Sequence, residues 1–163
     1  VRGTLRPALV PRVVRAVASL SGWRLTELVL RDVGLDGASA GAVARVLPSL
    51  SATLQRLDLG GNGDMRDEGV EAVCQVLPEL AGVLRRLSLR DARMGVRGAS
   101  SLARVLPTLQ VLEELNIGDN GDMPPCGMAS VLWALPAGLR TLVAGASPDG
   151  GSVARDWFTV MSL

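Results

Sequence analysis

Apolar residues recur along the chain in two alternating rhythms. The first is a block with the pattern LxxLxL, found as Leu25-Thr26-Glu27-Leu28-Val29-Leu30, Leu54-Gln55-Arg56-Leu57-Asp58-Leu59, Leu84-Arg85-Arg86-Leu87-Ser88-Leu89 and Leu112-Glu113-Glu114-Leu115-Asn116-Ile117. The spacing from Leu25 to Leu54, Leu84 and Leu112 is nearly constant, and a degraded copy, Leu139 to Ala144, follows at almost the same interval. Its last two leucines alternate with polar neighbours, as in a strand with one buried face. The second rhythm has helical spacing, as in Val70, Val73, Val76 and Leu77, and closes each time on Leu-Pro at Leu47-Pro48, Leu77-Pro78, Leu106-Pro107 and Leu135-Pro136. Proline restricts the residue before it and marks a helix boundary. One repeat therefore reads strand, loop, helix, turn. Strands are predicted near 27–30, 56–59, 86–89, 114–117 and 141–143, and helices near 38–47, 67–77, 97–106 and 126–135. A further helix near 11–20 would belong to a preceding, partial repeat.

A finer alternation lies on top of this repeat. Arg31-Asp32-Val33-Gly34-Leu35 corresponds to Arg90-Asp91-Ala92-Arg93-Met94, whereas Gly60-Gly61-Asn62-Gly63-Asp64-Met65 corresponds to Gly118-Asp119-Asn120-Gly121-Asp122-Met123. The stretch from the first strand leucine to the helix-closing leucine is equal in Leu25 to Leu47 and Leu84 to Leu106. It is longer by a single position in Leu54 to Leu77 and Leu112 to Leu135, the addition falling in the Asn-Gly-Asp-Met loop. Stacking such units buries a continuous core that no single coil could bury alone. Leu28, Leu57, Leu87, Leu115 and Leu142 would form one interior row, and Leu30, Leu59, Leu89 and Ile117 another.

Long repeats of this kind, with a full helix each and two alternating subtypes, resemble the ribonuclease-inhibitor-like class of leucine-rich repeats, over roughly positions 20 to 162. The resemblance implies an α/β solenoid shaped as a right-handed horseshoe, with a parallel sheet on the concave face and helices on the convex face. It also implies a role in protein recognition. Asn62 and Asn120 fall at the family's Asn position, where the resemblance implies a buried amide bonded to loop backbone groups. Val33 and Ala92 stand there in the other subtype, so the two loops are expected to solve that backbone problem differently. The whole of 1–163 reads as a single array of about five repeats plus a partial N-terminal one. Because the chain opens in mid-pattern on Val1, it reads as a fragment of a longer protein.

Composition narrows the functional classes. The chain is 48% hydrophobic and carries a formal net charge of +1, so no global field draws it to nucleic acid or an anionic membrane. Basic residues are not interleaved with aromatic ones on the strands, which further disfavours nucleic acid. Histidine is absent, which removes the commonest general base and metal ligand. The expectation is a non-enzyme with no cofactor, metal or small-molecule substrate. The Gly-rich loops carrying Asp64 and Asp122 supply too few oxygens for calcium and no P-loop lysine. Cys74 and Cys126 fall at non-equivalent repeat positions, which argues against a disulfide and for an intracellular, cytoplasmic setting, with an organelle or a cytoskeletal assembly left open. Cys74 is read as core, and Cys126, following Pro124-Pro125, as more exposed. Trp133 is read as helix packing, and Trp157 with Phe158 as covering the open end of the last coil.

Alternation along the strands places Glu27, Val29, Arg31, Arg56, Asp58, Arg86, Ser88, Arg90, Glu114 and Asn116 on the face opposite the core. These, Val29 apart, are the candidate partner-binding residues. One column reads Glu27, Arg56, Arg86, Glu114, and two readings of it stand: a self-neutralising surface, or a site at Arg56, Arg86 and Arg90 for an acidic partner protein. The leading function is a protein-interaction scaffold. The alternatives are an accessory subunit of a large assembly, and a regulator of a small GTPase acting through Arg66, Arg93 and Arg97, placed in loops. Helix positions Arg45, Ser49, Glu71, Gln75, Glu79 and Arg104 are read as an ordinary solvated outer face.

Overall fold

A computed structural model describes residues 24–145, together with Ala16 in a helix and the strand Met161–Ser162. Five strands, β1 (Glu27–Val29), β2 (Arg56–Asp58), β3 (Arg86–Ser88), β4 (Glu114–Asn116) and β5 (Thr141–Val143), pair in parallel in chain order. A short β6 (Met161–Ser162) then joins β5 in the antiparallel sense. Between the strands run α1 (Gly37–Ala44), α2 (Arg66–Val76), α3 (Val96–Val105) and α4 (Pro125–Trp133), each packed on the next. The 11–20 helix falls outside the described residues except at Ala16, and so do Trp157 and Phe158.

The ladder continues beyond the short strands. Leu30 N–H donates to the Asp58 carbonyl at 2.8 Å and Asp32 N–H to that of Gly60 at 3.0 Å, and the same bonds recur in the next coils. The chain then turns at Asp32, Gly61, Asp91 and Asp119, equivalent positions that all hold positive φ (53°, 73°, 49° and 57°). Aspartate tolerates this region better than most side chains. At Gly61 a Cβ would also lie 2.2 Å from Asp32 Oδ1, so a side chain there would require Asp32 to shift.

The core follows the expected rows. Leu28, Leu57, Leu87, Leu115 and Leu142 are in register across the sheet and buried, as are Leu30, Leu59, Leu89 and Ile117. Leu47, Leu77 and Leu106 face them from the helical side. The prolines do not stop the winding where expected. Each α-helix ends before the Leu-Pro pair, and Pro48, Pro78 and Pro107 then sit at the start of a 3-10 turn: Leu47–Leu50, Leu77–Leu80 and Leu106–Thr108. Proline is tolerated there because the N–H it lacks has no partner in a first turn.

The cysteines sit in contrasting places, both unbridged: Cys74 is buried and Cys126 exposed. Burial first, and then the nearby Glu71 carboxylate, push the Cys74 thiol up to about 12 from its ordinary 9.0. The unfolded chain ionises this thiol first, so Cys74 leaves stability unchanged below pH 9.0 and lowers it as the pH rises from there toward about 12. Iodoacetamide at neutral pH is expected to modify Cys126 and spare Cys74 in the folded chain. Equal labelling of the two would place Cys74 outside the core.

Candidate functional site

The outward positions of the strands form three rows across the sheet. The first is Glu27, Arg56, Arg86, Glu114 and Thr141, the second Val29, Asp58, Ser88, Asn116 and Val143, all in Cα register. Arg31 and Arg90 extend the third, just beyond the strands. Neighbouring strands lie about 4.8 Å apart, so long side chains in one row reach one another.

Ion pairing decides how this face presents its charge. Arg56 Nη1 lies 3.5 Å from Glu27 Oε2 and Arg86 Nε 3.3 Å from Glu114 Oε2, so the first row closes into two opposite-charge pairs. Arg90 Nε donates to Asp119 Oδ2 at 2.6 Å. Arg31 and Arg56 approach the same oxygen of Asp58, at 3.8 and 3.5 Å. The four arginines are thus matched by Glu27, Asp58, Glu114 and Asp119, the self-neutralising arrangement of the two readings.

Asp58 departs from the expectation of an exposed contact residue. It points to the sheet face yet is only 4% exposed, because Arg31 and Arg56 flank one oxygen and Gly60 N–H donates to the other at 3.1 Å. Asn116 makes the corresponding bond, accepting from Gly118 N–H at 3.0 Å. The role of both is to hold the strand-to-loop bend. Ser88, in the same row, is half-buried.

Asn62 and Asn120 form the structural centre of the loops, and they show how the subtype without Asn meets the backbone problem by a different route. Asn62 Oδ1 accepts from Val33 and Leu35 N–H, both at 3.1 Å, in the preceding coil. Its Nδ2 donates to Leu30 O at 2.8 Å in that coil and to Leu59 O at 2.7 Å in its own. Asn120 repeats the set with Ala92 N, Met94 N, Leu89 O and Ile117 O. One amide therefore serves two coils, and the coils with Val33 and Ala92 borrow it from their neighbour.

Two further joints were not legible in the repeat pattern. Asp67 Oδ1 accepts from Gly95 N–H at 2.7 Å and Gly98 N–H at 2.8 Å, capping α3 from the preceding coil. Arg66 N–H donates to the Ala92 carbonyl at 2.9 Å. In α4 the equivalent positions hold Pro124 and Pro125, which supply neither that N–H nor that carboxylate.

The arginines considered for phosphate chemistry occupy different kinds of position. Arg66 opens α2 and Arg93 lies in a loop, both at positive φ, while Arg97 is in α3 rather than a loop and pairs with Glu71 at 2.8 Å. Trp133 is not packing but 91% exposed. The reason is its register: it stands two places before the helix-closing Leu135, where Arg45, Gln75 and Arg104 stand before Leu47, Leu77 and Leu106. Counting back from Leu-Pro would have found it.

Residues 50–74, from the first 3-10 turn through β2 and its Asn loop into α2, match the family model for a Leucine Rich repeat. No curated protein matches the chain. That match covers one coil, and the same coil repeats along the described residues, so the fold is a leucine-rich-repeat solenoid of alternating strand and helix. Leucine-rich repeats generally bind other proteins and are typically non-catalytic. Among the described residues no helix is long and apolar enough to cross a membrane.

Proposed function

We propose that the chain is a non-catalytic scaffold of the ribonuclease-inhibitor-like class that binds another protein through its concave sheet face. The contact surface comprises Glu27, Arg31, Arg56, Arg86, Ser88, Arg90, Glu114 and Asn116, with Asp58 beneath them as the residue that positions Arg31 and Arg56. The observation that carries this reading is the in-register row in which Glu27–Arg56 and Arg86–Glu114 alternate in sign. A rigid sheet presents these groups at low entropic cost. Because the cations are already paired, the face suits a partner of mixed charge whose carboxylates and amines exchange with the internal pairs, and selectivity comes from that pattern. Two unbridged cysteines support a reducing, intracellular setting.

The test begins with affinity purification and mass spectrometry to obtain the partner, followed by binding of the purified protein. Reversing Arg86 and Arg90 together to Glu is expected to weaken that binding by about tenfold or more. The melting temperature is expected to fall modestly, since the exposed Arg86–Glu114 pair contributes about 0–1 kcal/mol and the part-buried Arg90–Asp119 pair somewhat more. Undiminished binding by the double variant would remove the concave face from the interaction.

A further inference from the structure

The helical side carries a second row, formed by the residue two places before each helix-closing leucine: Arg45, Gln75, Arg104 and Trp133. All four are exposed, and the helices or helix ends that bear them pack side by side. Packed helices lie about 8–10 Å apart, so the row is a continuous ridge across four coils. It differs from the sheet face in one respect that bears on recognition. Arg31, Arg56, Arg86 and Arg90 each face a carboxylate, whereas Arg45 and Arg104 make no ion pair among the described residues. Guanidinium forks without an internal carboxylate are thus present on the helical side, at Arg45 and Arg104.

Apolar surface lies beside these forks. Trp133 is 91% exposed and Leu132 43%, and no charged residue occurs from Met123 to Leu139. Between α2 and α3 runs an open groove of about 510 Å³, with Pro78, half-exposed Val96 and Val105 as its apolar lining and Ser100, Ser101 and Arg104 as its polar one. Glu71 and Arg97 also line it and cancel each other's charge, which leaves the groove with the single positive charge of Arg104. A groove for one apolar side chain, a free guanidinium and an exposed indole one helix further on form the anchor types that dominate protein interfaces.

We propose that this ridge and groove bind an acidic, partly apolar peptide segment of a partner protein. An aliphatic or aromatic side chain enters the α2–α3 groove, a carboxylate takes the Arg104 fork in a charge-assisted bidentate bond, and a second apolar residue covers Trp133. The surface lies on the opposite side of the coils from the concave face, so the proposal stands independently of the function proposed above.

The probe is a random peptide library displayed on phage and selected against the whole chain. Selected sequences are expected to combine Asp or Glu with Leu, Phe or Trp a few residues away. A synthetic peptide of the selected sequence should bind about tenfold or more weakly to Arg104→Glu and to Trp133→Ala, and with unchanged affinity to the Arg86→Glu, Arg90→Glu double variant. Circular dichroism and melting of each variant confirm that it is folded, and Arg104→Gln supplies a second, neutral test of the same contact. Failure to select any binder, selection without acidic enrichment, indifference to both Arg104 and Trp133, or loss of binding on the concave reversal would each overturn the assignment.

Discussion

Leu87→Asp is expected to destabilise the protein by about 4 kcal/mol or more, a value reserved for a buried, unpartnered carboxylate. Leu87 is 2% exposed at the centre of the interior row, in register with Leu57 and Leu115, and among the described residues no cation is buried in the core to receive the charge. Coils contribute stability mainly through their immediate neighbours, so the loss should divide the array. Urea unfolding is expected to broaden and its slope to fall, as two shorter arrays unfold separately. Ser88→Asp, at the next position and half-buried on the other face, sets the comparison. It places a carboxylate in register with Asp58, a like-charge pair expected to cost up to about 1 kcal/mol. Equal losses for the two variants would show the inward and outward faces to be misassigned.

Asn62→Leu is expected to cost at least about 4 kcal/mol despite adding apolar volume. The substitution strands Val33 N–H, Leu35 N–H and the carbonyls of Leu30 and Leu59, and a buried polar group left without a partner costs about 1–3 kcal/mol. Most of these groups lie in the preceding coil, so hydrogen exchange should accelerate at Val33 and Leu35 as well as around residue 62. Asp64→Ala, an exposed change in the same loop, is expected to alter stability by less than about 0.5 kcal/mol. Exchange confined to the coil containing Asn62 would refute the shared amide.

The strands, helices, coil period and interior rows were legible in the sequence because all are written in one-dimensional spacing. Leu28, Leu30 and Leu47 declare their faces by alternation and by the proline that follows. The shared amide was not legible as such. Asn62 could be read as a loop residue, but that its acceptor reaches Val33 and Leu35 depends on how far one coil is displaced from the next. Asp67 was missed for the same reason, since a cap normally precedes its own helix and here it lies in the coil before. On the candidate site, strand alternation found the side chains of the sheet face, while their ion pairing, and the burial of Asp58 beneath two arginines, depended on rotamers that no spacing encodes. Trp133 was legible and misread. Aromatic character suggested packing, whereas its place in the repeat, level with Arg45, Gln75 and Arg104, specified solvent.

The amide shared between unlike coils also constrains how such a protein can change length. Removing the coil of Asn62 alone would set the Val33 loop beside the Ala92 loop, two loops that each need a donor-acceptor group and neither of which has one. Removing adjacent coils as a pair leaves every Val33-type loop with its supplier. Loss of an Asn-bearing coil therefore leaves no loop stranded only when the coil it supplies goes with it.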